Sequence, residues 1–237
     1  DTSTSVVGQL VRHTVKFHAF DISSEQEEAW ENQIRELQIR LEQHGIEGDI
    51  IFEYDNGGYM NTGYQLSYST PMGAKSATSH LGEKQWGKTF FHKDMPRIMA
   101  ATGMPYVATA AECEPDDFIK KAAKAQYYAK HYGTAYVKCM SACPLNWGDK
   151  PNTERKVISA AVNSCYFPLY EVERGYTSLS FDPEAKNKKI PVADWLKMMG
   201  RTKHLCEAKH RDILESVQQE VDIRWKRLKT LSEHPEL

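Results

Sequence analysis

The sequence holds no run of about eighteen or more apolar residues, so nothing in it reads as a bilayer-spanning helix. It has no excess of basic charge either: 30 Lys and Arg stand against 32 Asp and Glu, for a formal net charge of −2. Without a basic field to hold a phosphate polymer, nucleic-acid binding is not expected. The stretch "DTSTSVVGQLVRH" lacks the basic n-region and long apolar h-region of a signal peptide. It begins at Asp1 rather than Met, so the sequence given need not begin where translation begins. Cysteine is scarce: five residues, Cys113, Cys139, Cys143, Cys165 and Cys206, odd in number and scattered through apolar segments. That excludes a disulfide framework and suits the reducing cytoplasm. Cys113, Cys165 and Cys206 read as small buried hydrophobes. No G-x-G-x-x-G opens a helix, which argues against a plain nucleotide-binding domain. No Ser–His–Asp or paired-carboxylate arrangement is legible, and the nine histidines show no metal-ligand spacing.

What is present is ordinary globular material. Of 237 residues 41% are apolar, enough for one sizeable core or one domain with an appendage. The segment 24–44 reads as an amphipathic helix. Ser24 and Glu27 fit a capping box, Gly45 suits the C-terminal cap, and Trp30, Ile34, Leu37 and Leu41 fall on one stripe. Then "DIIFEY" (49–54) reads as a buried strand, 94–102 as a short helix, 105–110 as a strand and 114–133 as a helix. The stretch 134–141 is a strand again, and 152–167 another helix. Strands alternating with helices predict an α/β fold with a doubly wound, mainly parallel sheet. We expect an α/β domain over 1–193, with the helix 24–44 inserted, and a charged helical C-terminal tail over 194–237. In the tail Ile213, Val217, Val221, Trp225 and Leu228 form an apolar stripe.

After the first strand comes "YDNGGYMNTG" (54–63), with three glycines and two asparagines. In an open α/β sheet, ligands bind outside the carboxyl ends of strands, where this loop falls. Gly57 and Gly58 permit positive φ and close backbone approach. Asp55, Asn56 and Asn61 offer side-chain oxygens and Gly58 an unhindered carbonyl, a donor set of low net charge that suits Mg²⁺ already carrying a phosphate. Thr62 and the N–H groups around Gly63 can meet phosphate oxygens. A tight, Gly-rich surface turn explains the same residues equally well.

The longer run "YDNGGYMNTGYQLSYSTPMGA" resembles the thiamine-diphosphate-binding (beta) subunit of the 2-oxoacid:ferredoxin (acceptor) oxidoreductases, the family of pyruvate, phenylglyoxylate and oxalate oxidoreductases. Matches continue in order through "GKTFFHKDMPRIMAATGMPYVATA", "AYVKCMSACPLNWG" and "ERKVISAAVNSCYFPLYEV", so the resemblance covers roughly 49–205. It implies a thiamine-diphosphate-binding fold in which Asn56 and the Gly58 carbonyl ligate Mg²⁺. It implies too that Asn61, which it marks as catalytic, faces the diphosphate and thiazolium together with Thr62 and Gly63, beside Asp55 and Gly57 in the same cofactor loop. The third metal ligand of the family is the Asp of an upstream Gly-Asp-Gly; here the candidate is Asp1, and the gap to Asn56 is longer than in the family by the helix 24–44. Cys143, in "SACPLNWG", matches a ligand of the family's [4Fe–4S] cluster. The other cysteines of that cluster have no counterpart, and Cys139 at C-x3-C spacing cannot supply them.

The resemblance implies oxidative decarboxylation of a 2-oxoacid, pyruvate by default, to an acyl-CoA. The partners are alpha, gamma and ferredoxin-like delta subunits, and electrons leave through iron–sulfur clusters to ferredoxin or another acceptor. The alternative is a non-catalytic assembly subunit with a degenerate site. The missing cysteines favour that alternative, and the intact "DNGGYMNTG" opposes it.

Overall fold

In the computed structural model of the chain, residues 48–234 are described; Asp1 and the helix read over 24–44 lie outside them. Five strands form the main sheet: β1 (Ile50–Asp55), β4 (Tyr106–Ala111), β5 (Ala135–Met140), β6 (Leu169–Glu173) and β7 (Tyr176–Phe181). Their spatial order is β1-β5-β4-β6-β7. The first three run parallel, with Ile50 beside Ala135 and Asp55 beside Met140 on one side of β5, and Tyr106 beside Ala135 on the other. β6 and β7 are antiparallel additions at the β4 edge. A separate two-residue ladder joins β2 (Leu81–Gly82) and β3 (Gln85–Trp86).

Helices cover both faces, as near-continuous apolar parallel strands require. Alternation along the strands sorts the core. Tyr106, Ala108, Ala110, Ala135 and Val137 face α2 (Pro115–His131), where they meet Ala125, Phe118 and Tyr128. Val107, Ala111, Tyr136 and Met140 face the larger cluster built with α4 (Glu154–Asn163), α5 (Val192–Leu196) and α6 (Arg211–Glu233). α2 is the β4-to-β5 crossover. It starts on Pro115 with Asp116 and Asp117 in its first turn and ends with Lys130 and His131, charges that complement its dipole. Of two shorter helices, α1 (Met95–Ala101) packs on β4 and β5, and α3 (Pro144–Trp147) follows the carboxyl end of β5.

The parallel strands and the first two helices fall within one or two residues of their expected bounds. The helix expected over 152–167 instead ends at Asn163, and Cys165 turns out with φ 60°. The hairpin β6–β7 was not anticipated. The C-terminal segment shares the main core: Trp195, Leu196, Met199, Val217, Val221, Trp225 and Leu228 are all buried in the cluster that includes Val107 and Tyr136. It also bonds to the sheet, since the Leu179 N–H donates to Ser232 Oγ at 3.1 Å.

Candidate cofactor site

β1 and β5 stop together. The Ser141 N–H donates to the Asp55 carbonyl at 3.0 Å, so the loops 56–70 and 141–149 leave the sheet side by side. Asp55 shapes the first loop. Its Oδ1 accepts the Gly57 N–H at 2.9 Å, and its Oδ2 pairs with Lys138 at 2.7 Å. Lys138 is buried and also reaches Glu53 at 2.6 Å, while Glu53 accepts the Tyr136 hydroxyl. Burial opposes the charge on Lys138, but Asp55 and Glu53 outweigh it and hold the ammonium above its ordinary pKa.

The loop's first carbonyls are drawn inward. That of Asn56 accepts Trp147 Nε1 at 2.7 Å. That of Gly57 accepts both Thr70 Oγ1 at 2.9 Å and Arg201 Nη1 at 3.1 Å. Gly57 takes φ 70°, and a Cβ there would stand 3.1 Å from Arg201 Nη2, so both conformation and space exclude a side chain. Gly58 does not take positive φ, contrary to expectation. Its constraint is spatial: a Cβ would sit 3.1 Å from Met60 Cε and 3.2 Å from the Gln65 carbonyl. Among the described residues no hydrogen bond reaches the Asn56 carboxamide or the Gly58 carbonyl. Tyr59 and Gln65 then pair across a narrow loop through reciprocal backbone bonds of 3.0 and 3.2 Å. Asn61, Thr62 and Gly63 stand exposed at its tip, where Thr62 and the Gln65 side chain bond to each other and Gly63 takes φ 104°.

Lys88 supports this loop from behind. It is buried, and its Nζ donates to the carbonyls of Thr70 at 2.6 Å and Tyr68 at 3.2 Å. Burial pushes its pKa down to about 8, and Asp55 only partly offsets this. Below the loop a cavity of about 330 Å³ runs from Asp55 and Gly57 past Lys138 to His92, Tyr170 and Arg224. Burial and the neighbouring Arg224 hold His92 well below the usual imidazole pKa, so it is neutral at physiological pH.

Cys143 caps the N-terminus of α3, three residues beyond β5 and half-buried, in the loop adjacent to Asn56 and Gly57. Cys139 is different. It lies inside β5, its thiol pushed up to about 12 by burial, and serves as packing. Among the described residues no group of three or more His, Cys, Asp or Glu side chains could hold a metal ion. Sequence reasoning missed Thr70, Lys88, Trp147 and Arg201. Thr70, Lys88 and Trp147 sit in the quoted matching runs, yet nothing local marks a side chain that bonds across 91 residues, as Trp147 does, or across 144, as Arg201 does.

The geometry therefore defines an open α/β domain with a glycine-rich loop at the carboxyl end of β1, the position where such sheets take ligands. No protein-family model matches the chain. It is 40% identical over 181 residues to the pyruvate synthase subunit PorB of Methanocaldococcus jannaschii, covering 76% of this chain and 57% of that protein. It is 39% identical over 181 residues to the PorB of Thermotoga maritima, covering 76% and 54%. The ketoisovalerate oxidoreductase subunit VorB of Pyrococcus furiosus is 35% identical over 184 residues, covering 78% and 57%. The chain belongs to this family, the beta subunits of the 2-oxoacid:ferredoxin oxidoreductases. It spans a little over half the length of the curated relatives it matches.

Proposed function

We propose that the chain is the thiamine-diphosphate-binding subunit of a 2-oxoacid oxidoreductase that works as a hetero-oligomer. The observation that carries this reading is the loop 56–58: two carbonyls are committed inward by Trp147, Thr70 and Arg201. The Asn56 carboxamide and the Gly58 carbonyl are left for a hard cation. Two neutral oxygens fit Mg²⁺ that arrives with a diphosphate, because such a cation keeps octahedral oxygen ligation and needs few protein charges. Asp1, the third ligand in this reading, lies outside the described residues.

Thiamine diphosphate, when bound, supplies the carbanion chemistry by which a 2-oxoacid loses CO₂ and yields electrons. The chain's own residues do the holding. Asp55 locks the turn through the Gly57 N–H rather than meeting the cofactor, since both its oxygens have protein partners. Asn56 and Gly58 orient the metal. Asn61, assigned the catalytic contact, meets the cofactor's reacting end from the exposed tip, with Thr62 and Gly63 on the diphosphate. An exposed tip also suits a cleft completed by another subunit, so this chain alone is expected to be inactive.

Pyruvate is the substrate assigned, with CoA as acyl acceptor and ferredoxin or another carrier as electron acceptor, in the cytoplasm. Support comes from the names of the relatives at 39–40% identity; a branched 2-oxoacid is the alternative that the VorB relatives suggest. Among the described residues Cys143 is the single thiol at the site. They do not by themselves fit a four-thiolate cluster. No helix among the described residues is long and apolar enough to cross a membrane.

The test is calorimetric titration of the full chain, assembled with its partner subunits, with Mg²⁺ and thiamine diphosphate. Asn56→Ala is expected to abolish measurable binding while the complex stays assembled. Unchanged affinity in the variant removes the assignment.

A further inference from the structure

We propose that Arg201 is a positioning residue that fixes the carbonyl of Gly57 and ties the loop 56–58 to the loop 141–148 that carries Cys143. Its consequence for cofactor binding rests on the reading above; the coupling itself rests on geometry alone. Arg201 is 3% exposed, and among the described residues it forms no ion pair. A buried guanidinium without a carboxylate partner is costly, and burial pushes its pKa down to about 10. Its hydrogen bonds show what the charge does there. Nη1 donates to the Gly57 carbonyl at 3.1 Å and to Asn146 Oδ1 at 3.1 Å, bridging the two loops. The guanidinium lies over the Trp147 ring at 4.6 Å, and Trp147 in turn donates to the Asn56 carbonyl at 2.7 Å.

The backbone is arranged to allow this. The Arg201 N–H donates to the Trp147 carbonyl at 3.2 Å, and the Lys75 N–H to the Arg201 carbonyl at 2.8 Å. Gly148 and Gly200 approach so closely that a Cβ on Gly148 would lie 3.0 Å from the Gly200 Cα. Gly148 also takes φ 69°. Two glycines thus let the C-terminal segment press on the Cys143 loop at the place from which Arg201 can reach Gly57. A guanidinium that only filled space would not need to bond the one carbonyl that precedes the proposed ligand carbonyl of Gly58. Displacing Gly57 rotates the next peptide, and with it the Gly58 oxygen.

The experiment compares wild type, Arg201→Met and Arg201→Lys as full chains assembled with their partner subunits. Met keeps the bulk over Trp147 and removes the donors; Lys keeps one charged donor. Amide hydrogen exchange without cofactor is read in peptides covering 54–60 and 141–148. Mg²⁺–thiamine diphosphate affinity is read by calorimetry. In Arg201→Met both peptides are expected to exchange faster, and affinity to fall about tenfold or more. Arg201→Lys should recover part of both. Should Arg201→Met fail to fold, Thr70→Val removes the other donor to the same carbonyl; faster exchange in 54–60 is then expected. Unchanged exchange in both loops of every folded variant overturns the proposal, whatever the affinity does. Faster exchange in a complex whose wild type binds no cofactor leaves the coupling standing and fails the cofactor reading instead.

Discussion

At Gly57 one oxygen receives two buried donors, and at Asn56 the carbonyl receives an indole N–H. The direction of the Gly58 carbonyl is set by these neighbours and not by a bond of its own, so small distortions there reach a ligand before they reach the core. Gly58→Val puts branched carbon against Met60 and the Gln65 carbonyl. Met60 is flexible and the loop is at the surface, so the melting temperature is expected to fall by only a few degrees. Cofactor affinity, by contrast, is expected to drop about tenfold or more. A large loss of Tm with unchanged affinity in the remaining folded protein would make Gly58 a purely structural turn residue. Lys88 behaves in the opposite way, because it holds two carbonyls with an ammonium that burial disfavours. Lys88→Met should destabilise by about 1–3 kcal/mol through the unmet carbonyls of Thr70 and Tyr68. Its pKa lies at about 8 in the folded state and at 10.5 ordinarily, so the unfolded chain binds more protons between those values. Stability contributed by this group therefore rises with pH from about 8 to 10.5 and is flat below 8. Thermal melts of wild type and Lys88→Met at pH 7.5 and about 9.5 should show the difference between them shift in that direction.

Among elements, α6 is the one whose stripe most directly decides stability. Val217, Val221, Trp225 and Leu228 are all buried against the core shared with the sheet. Trp225→Ala is expected to cost about 3–5 kcal/mol, measured by denaturant unfolding. A cost well under 1 kcal/mol would mean that the helix is only loosely seated. The stripe was legible in the sequence, as were the strands at 50–55, 106–111 and 135–140, because apolar runs bounded by Pro, Gly and acids carry their own limits. The hairpin β6–β7 was not. Its turn, Arg174–Gly175, has φ 51° and 91°, positive at both positions, as the type I′ hairpin turn requires. Arg in the first position hides a signal that Asn or Asp would give. β6 is also buried almost throughout, so it lacks the alternation of a half-exposed strand. In the loop 56–63 the glycines and asparagines were legible, but the inward commitment of its carbonyls was not. That depends on Thr70, Trp147 and Arg201, whose roles exist only once distant segments have packed.

For the described residues as a whole, the chain combines the three parallel strands of a five-stranded sheet with a loop fixed on its inner side and exposed at its tip. That combination suits a cofactor held by one subunit and used in a cleft that another completes. The most direct measurement replaces Mg²⁺ by Mn²⁺ in the complete complex with thiamine diphosphate and locates the metal by anomalous scattering. The account predicts one peak per chain at this loop, about 2.2 Å from the Asn56 side-chain oxygen and the Gly58 carbonyl. A Mn²⁺ peak and diphosphate bound elsewhere in the complex, with this loop bare, would contradict it.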